Sequence, residues 1–345
     1  FTRNPDVLLT PASTLKIITL AVASQQLGWD DRFETALFTN GHIERNVLHG
    51  DLIVRGSGDP TIDTDVLTSW AEKLRMQGIH QVTGNIIGDD RITIGQALKR
   101  SGTPSPPQLG FGWSWDDLAF GFAAPAGPLQ YQENVVAIQI TPGRTVNAPA
   151  ELTIQTAGSG LKLVNQASTA SPTEPSLIQL RRAASTPNLV VSGSIGLGSS
   201  AIIRAVSVAN PTSFFVQALH TALEAEGVVV RGDAVDIDRL SENQQDSATN
   251  GLQSLLTNQS EPLSTIAVEM MKRSQNLFAE SIYRRLGFSF SDSSSAIVTE
   301  VLADWGIKQN RAIVVDGSGL SRYNYLTASA LTDILVRLYQ NESDQ

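Results

Sequence analysis

The sequence predicts a mixed α/β (α+β) protein of more than one domain, with helix-rich ends enclosing a β-rich middle. Three observations predict it. Helical apolar spacing occupies the stretch from Leu15 to Gly28 and returns from Leu263 onward. Runs of strand length dominate from about residue 134 to 237. The polar segment Ser241–Asn250 carries neither period and reads as a connector. Residues 37–243 then form an inserted β-rich region, read as two subdomains, within a domain whose halves are 1–36 and 244–345. The 345 residues are enough for each unit to bury a core.

Taken in order, Thr10 reads as an N-cap and Pro11 as the first helical residue, where a missing N–H costs nothing. Leu15, Ile17, Ile18, Leu20, Ala21 and Val22 continue that helix to a stop at Gly28. Strands follow at Phe33–Phe38 and Asp51–Val54, then the turn-rich Arg55–Thr61. Val66–Met76 has helical spacing and ends at Gly78, and Gln81–Ile87 alternates like a strand. Residues 99–113 are rich in Ser, Gly and Pro and read as a loop. Strand runs recur at Val135–Ile140, Leu152–Gln155, Leu189–Val191 and Ile202–Val206, with a helix from Pro211 to Glu226. Beyond the connector, Leu263, Ile266, Met270, Met271, Leu277, Phe278, Ile282 and Leu286 mark one long helix stopped by Gly287. A helix at 295–305, a strand at Ala312–Val315 and a helix at 327–340 follow.

Composition excludes several functions. A net charge of −9 with no basic run argues against a nucleic-acid partner and against binding an anionic membrane surface. Without cysteine there is no thiol catalysis, disulfide or thiolate metal site, and the four histidines lack metal-pair spacing, so no cofactor or metal is expected. No apolar run approaches the roughly 18–20 residues of a transmembrane segment. The start at Phe1, with neither methionine nor leader, reads as a mature or trimmed product.

The candidate chemistry begins at Ser13 and Lys16, a serine and a lysine three apart at a helix start. Such residues share a face, and the serine lies in the first turn, where backbone N–H groups lack partners and the macrodipole is positive. Those are the ingredients of an activated nucleophile. The spacing alone is weak, because Ser159–Lys162 repeats it between two glycines that disfavour helix. A second element is Ser274-Gln275-Asn276, which interrupts the long amphipathic segment. Its look-alike Ser241-Glu242-Asn243 lies in the polar connector. Asp89-Asp90 and Asp116-Asp117 read as strand-end and turn residues before acid/base groups, and Trp113 and Trp115 as packing residues before glycan-stacking ones.

Five blocks carry a more specific resemblance: Pro11–Lys16, Arg55–Thr61, Asn134–Val136, Ser274–Glu280 and Asp316–Arg322. In this order they resemble the D-alanyl-D-alanine carboxypeptidase/endopeptidase family of class C low-molecular-mass penicillin-binding proteins, peptidase family S13. The resemblance implies a transpeptidase domain like that of penicillin-binding proteins and serine β-lactamases, interrupted by a large insertion. It implies peptidoglycan stem peptides ending in D-Ala-D-Ala as substrates, acylation by β-lactam antibiotics, and a periplasmic or otherwise extracytoplasmic location in a bacterium. Ser13 would be the nucleophile, Lys16 its base, Ser274 a proton relay and Asn276 the residue orienting Lys16.

The family's third motif, K-T-G, is absent from these residues. Arg100-Ser101-Gly102-Thr103 looks like it but precedes the second motif, so it is rejected. Without that motif the 345 residues alone are expected to be weakly active or inactive. The rival expectation is a non-catalytic peptidoglycan-binding or scaffold homologue; a serine β-lactamase fits the insertion and the Asp316–Arg322 block poorly.

Overall fold

The structure, a computed structural model, describes residues 3–91, 109–156, 158–184, 186–290 and 293–343. Ala12–Thr14 forms one 3-10 turn that leads into helix α1 (Leu15–Leu27). Pro11, rather than Thr10, immediately precedes the first turn, and no side chain caps it. The entry is set by Ala12 itself, whose φ of 47° lies in the left-handed region that L-residues seldom occupy. Gly28, at φ 84°, ends α1 as its sequence suggests.

Seven further helices follow among the described residues: α2 (Thr64–Met76), α3 (Pro211–Ala225), α4 (Glu242–Ala248), α5 (Leu263–Arg273), α6 (Asn276–Phe290), α7 (Ser294–Asp304) and α8 (Ala328–Ser343). Asp63 caps α2 through Val66 N–H, and Asn210 caps α3 through Ser213 N–H ahead of a proline in the first turn.

Three expectations fail for identifiable reasons. The supposed connector 241–250 contains α4, because Ser241 and Gln244 close a capping box that satisfies the first turn. The single helix from Leu263 breaks in two at Ser274, which takes a left-handed conformation (φ 55°, ψ 38°), while Gly287 lies inside α6 and stops nothing. Gln81–Ile87 divides into the short strands Gln81–Val82 and Ile86–Gly88, since the backbone of Gly50 packs too closely against Gly84 for any side chain there. Strands Lys162–Ala170 and Gln253–Gln259 carry too many polar residues to show an apolar period.

A five-stranded sheet runs in the order 234–236, 86–88, 52–56, 34–39, 253–259. Glu34–Thr39 is antiparallel to both its neighbours, and the remaining pairs are parallel. A four-stranded sheet joins 229–230, 81–82, 47–49 and 42–44. Two three-stranded sheets hold 177–181/188–196/162–170 and 202–207/135–141/151–154.

Two principal cores result. One, built from residues 37–230, packs Trp70, Phe214 and Phe215 against Leu48, Val82 and Ile138. The other is helical, with Leu15, Ile18 and Val22 of α1 meeting Met270, Ile282, Leu286, Val298 and Ile334. Its α1 and α6 carry the two motifs facing each other.

Candidate active site

The apolar side chains of α1 seat the helix in the second core and thereby bury Lys16, which is 1% exposed. A buried ammonium must be well partnered. Lys16 Nζ has three acceptors: Ser13 Oγ at 3.0 Å, Asn276 Oδ1 at 2.6 Å and the Ser318 carbonyl at 3.0 Å. Ser13 itself is exposed on the 3-10 turn. Burial lowers Lys16 to about 8, while the charges of Glu280 and Asp316 pull it back upward. An amine so placed is neutral in an appreciable fraction near neutrality and can take a proton from a hydroxyl 3.0 Å away.

The break at Ser274 explains how Asn276 reaches Lys16. Left-handed geometry at Ser274 ends α5 and starts α6 on a new axis, with Asn276 its first residue. Asn276 Nδ2 donates to the Phe122 carbonyl at 2.8 Å, which fixes its oxygen towards Lys16. Ser274 has an exposed side chain with no hydrogen bond to Ser13 or Lys16. Of the four sequence candidates, Ser13, Lys16 and Asn276 therefore form one bonded group, with Ser274 beside it.

The Asp316–Gly319 turn lies on the other side of Lys16. Asp316 accepts Gly319 N–H and Asn324 Nδ2 on one oxygen, and Ser321 N–H and Trp113 Nε1 on the other, at 2.6–3.0 Å. Thr19 Oγ1 donates to the Gly317 carbonyl at 2.7 Å. The wholly buried Glu280 accepts the N–H groups of Gly317 and Ser318 at 3.0 and 2.8 Å. Burial, and next the charge of Asp316, push Glu280 up to about 7.

Residues of the middle region thus touch the site at several points. Trp113, read as a packing residue, is a hydrogen-bond donor to Asp316. Gln275 Nε2 donates to Glu133, which also pairs with Arg273 at 3.0 Å. Gln130 Nε2 bridges the Gly58 carbonyl and Ser281 Oγ, each at 2.7 Å, and Asn134 holds the same loop through the Pro125 carbonyl. The Arg55–Thr61 and Asn134–Val136 blocks are accordingly scaffold around the motifs. Asp89 pairs with both Arg55 and Arg91, each at 2.7 Å. Asp116 and Asp117 lie in a 3-10 turn, the first exposed and the second half-buried.

The look-alike motifs lack this setting. Ser159 is buried in a glycine-flanked turn and Lys162 begins a strand, while Ser241 serves as the cap of α4. Arg100–Thr103 lies outside the described residues. Among the described residues one carboxylate group, Asp90, Asp236 and Asp238, is close enough to share a cation, with ligand oxygens within 4.8 Å. Asp90 and Asp236 there also accept from Thr212 and Asn210. No helix among the described residues is long and apolar enough to cross a membrane.

Sequence reasoning missed Glu280, the Ser318 carbonyl and the Phe122 carbonyl. Glu280 carried one signal: it lies four residues after Asn276, on the same helical face. The two carbonyls carried none, since a backbone oxygen has no residue-type signature.

An amine-paired serine on a helix start, with an asparagine from a second helix, is the arrangement of acyl-serine penicillin-binding enzymes. The chain belongs to the D-Ala-D-Ala carboxypeptidase 3 (S13) family, whose model matches residues 1–345. It is 28% identical to the D-alanyl-D-alanine carboxypeptidase DacB of Haemophilus influenzae, over 98% of this chain and 68% of that protein. It is 27% identical to the D-alanyl-D-alanine carboxypeptidase of an Actinomadura species, over 97% of this chain and 61% of that protein. The crystal structure of penicillin-binding protein 4 from H. influenzae superposes with a TM-score of 0.83 at 24% identity, covering 99% of this chain and 73% of that one. A β-lactam complex of the same protein gives a TM-score of 0.77 at 23% identity, over 99% of this chain and 71% of that one. The chain thus spans about two thirds of the length of the curated relatives it matches.

Proposed function

We propose that the protein is a serine-type D-Ala-D-Ala carboxypeptidase acting on bacterial peptidoglycan stem peptides outside the cytoplasm, and that β-lactams acylate it at Ser13. The observation that carries this reading is the single hydrogen-bonded group of Ser13, Lys16 and Asn276. Two of the Lys16 acceptors, Asn276 Oδ1 and the Ser318 carbonyl, can only accept. A neutral amine donates its two N–H bonds to them and turns its lone pair towards the Ser13 hydroxyl.

The chemistry then balances. Lys16 takes the Ser13 proton as Oγ attacks the carbonyl carbon of the penultimate D-Ala, and the oxyanion takes a hydrogen bond from the Ser13 N–H. The tetrahedral centre collapses by breaking the C–N bond. The proton held by Lys16 passes, by way of the exposed Ser274 hydroxyl, to the departing D-Ala amine. Water then attacks the acyl carbonyl as Lys16 takes its proton, the ester bond to Ser13 Oγ breaks, and Lys16 returns the proton to that oxygen. A β-lactam enters the same path, but its leaving nitrogen stays tethered to the acyl group. Cleavage of the peptide cross-link uses identical chemistry on a larger amine, so endopeptidase activity belongs to the same proposal.

Labelling the full-length gene product that contains these residues with a fluorescent penicillin tests this. We expect stoichiometric label on Ser13, none in Ser13→Ala, and release of D-Ala from a stem pentapeptide. Equal labelling of the wild type and Ser13→Ala would overturn the assignment.

A further inference from the structure

We propose that Glu280 is a positioning residue for Lys16, acting through the Gly317–Ser318 backbone and through its own charge. The inference rests on the reading of Ser13 and Lys16 given above and extends it to a residue that takes no proton in that scheme.

Three geometric facts carry it. Glu280 lies one turn along α6 from Asn276, so one helical face supplies two arms to Lys16. The first arm is direct, from Asn276 Oδ1 to Nζ at 2.6 Å. The second is relayed: Glu280 Oε1 accepts the N–H groups of Gly317 and Ser318, and the carbonyl of that same Ser318 accepts Nζ at 3.0 Å. One carboxylate oxygen thereby fixes two successive peptide planes and aims the oxygen that follows.

Pairing matters because a tetrahedral amine with two of its directions committed has its remaining direction set. With both arms in place, that direction meets Ser13 Oγ at 3.0 Å. If the Ser318 carbonyl swings away, Lys16 keeps one fixed acceptor and its lone pair can rotate off the hydroxyl. Misplacement on the scale of an ångström costs about 10²-fold in rate.

The charge is a separate contribution. The groups facing Glu280 are Asp316 from the adjoining turn, Lys16 from α1, and Arg284 and Tyr283 from its own helix. Asp316 resists ionisation of Glu280, Arg284 favours it, and ionised Glu280 in turn raises Lys16. Glutamine in its place keeps an acceptor for the two N–H groups and removes the charge. Alanine removes both.

The experiment measures penicillin acylation rate against pH for the wild type, Glu280→Gln, Glu280→Ala and Ser13→Ala, with a thermal melt of each. Glu280→Gln should acylate within about tenfold of the wild type at its plateau, with its acid limb displaced to lower pH, because Lys16 loses a charge that raises it. Glu280→Ala should lose at least about tenfold at its plateau. If Glu280→Ala does not fold, the position of the Glu280→Gln limb decides. An unshifted limb in Glu280→Gln, or wild-type rates in folded Glu280→Ala, overturns the inference while leaving the Ser13 assignment intact. Labelling of Ser13→Ala would instead overturn the underlying reading.

Discussion

The backbone of Gly319 presses on the backbone of Ala12, so closely that a Cβ at position 319 would overlap the Ala12 carbonyl. Gly319 also takes a φ of 87°, open to glycine and strained for other residues. Since Ala12 precedes Ser13, a side chain at 319 displaces the proposed nucleophile. Gly319→Ala should lower the penicillin acylation rate by about 10²-fold, and backbone strain should cost about 1–3 kcal/mol of stability. Acylation kinetics and a denaturant melt measure both, and a variant with wild-type kinetics refutes the link.

The pH profile of acylation should report Lys16. Burial holds its ammonium at about 8, and only the neutral amine accepts the serine proton. Rising pH empties the ammonium form, so the rate should climb roughly tenfold per unit well below that value and level off above it. A rate that falls as pH rises from 6 to 8 contradicts Lys16 as the base.

Asn276→Asp should move that limb the other way. A carboxylate at 2.6 Å from Nζ favours the ammonium, and it also loses the N–H that now meets the Phe122 carbonyl. Acylation should therefore need a higher pH and remain slower at its plateau. Comparing the pH profiles of Asn276→Asp and Asn276→Ser separates charge from lost orientation.

Arg182 offers a contrast, because its role is structural. It is 8% exposed and donates to the carbonyls of Leu118, Ser207 and Val208 and to Ser207 Oγ at 2.6–2.9 Å. Burial lowers it to about 10. Arg182→Met should strand these buried acceptors and cost on the order of 3 kcal/mol. Urea unfolding monitors this, and labelling per folded molecule should stay unchanged.

The contrast between the two motifs says what the sequence could disclose. The cap-free start at Ala12 was misread in detail, yet the apolar face of α1 still placed Ser13 and Lys16 correctly on one helix start, because core burial and not capping fixes that helix. The break at Ser274 was legible only as two polar residues in an apolar period. Its left-handed turn depends on Glu133 and Phe122, more than 140 positions away, holding the next two residues. Trp113 looked like packing since an indole N–H announces no partner. The polar strands Lys162–Ala170 and Gln253–Gln259 owe their form to their neighbours in the sheet and not to their own pattern.

Lys16 is bonded to residues 260 and 302 positions further along the chain. Contacts of that separation form late, because the entropy of closing so large a loop must be met before they return anything. Whatever has formed of α1 before then, the hydrogen-bonded group around Lys16 is complete only when Asn276 and Ser318 have docked. On the role proposed for Ser13, labelling by penicillin should appear only once that docking is complete, and a molecule arrested before it should not label.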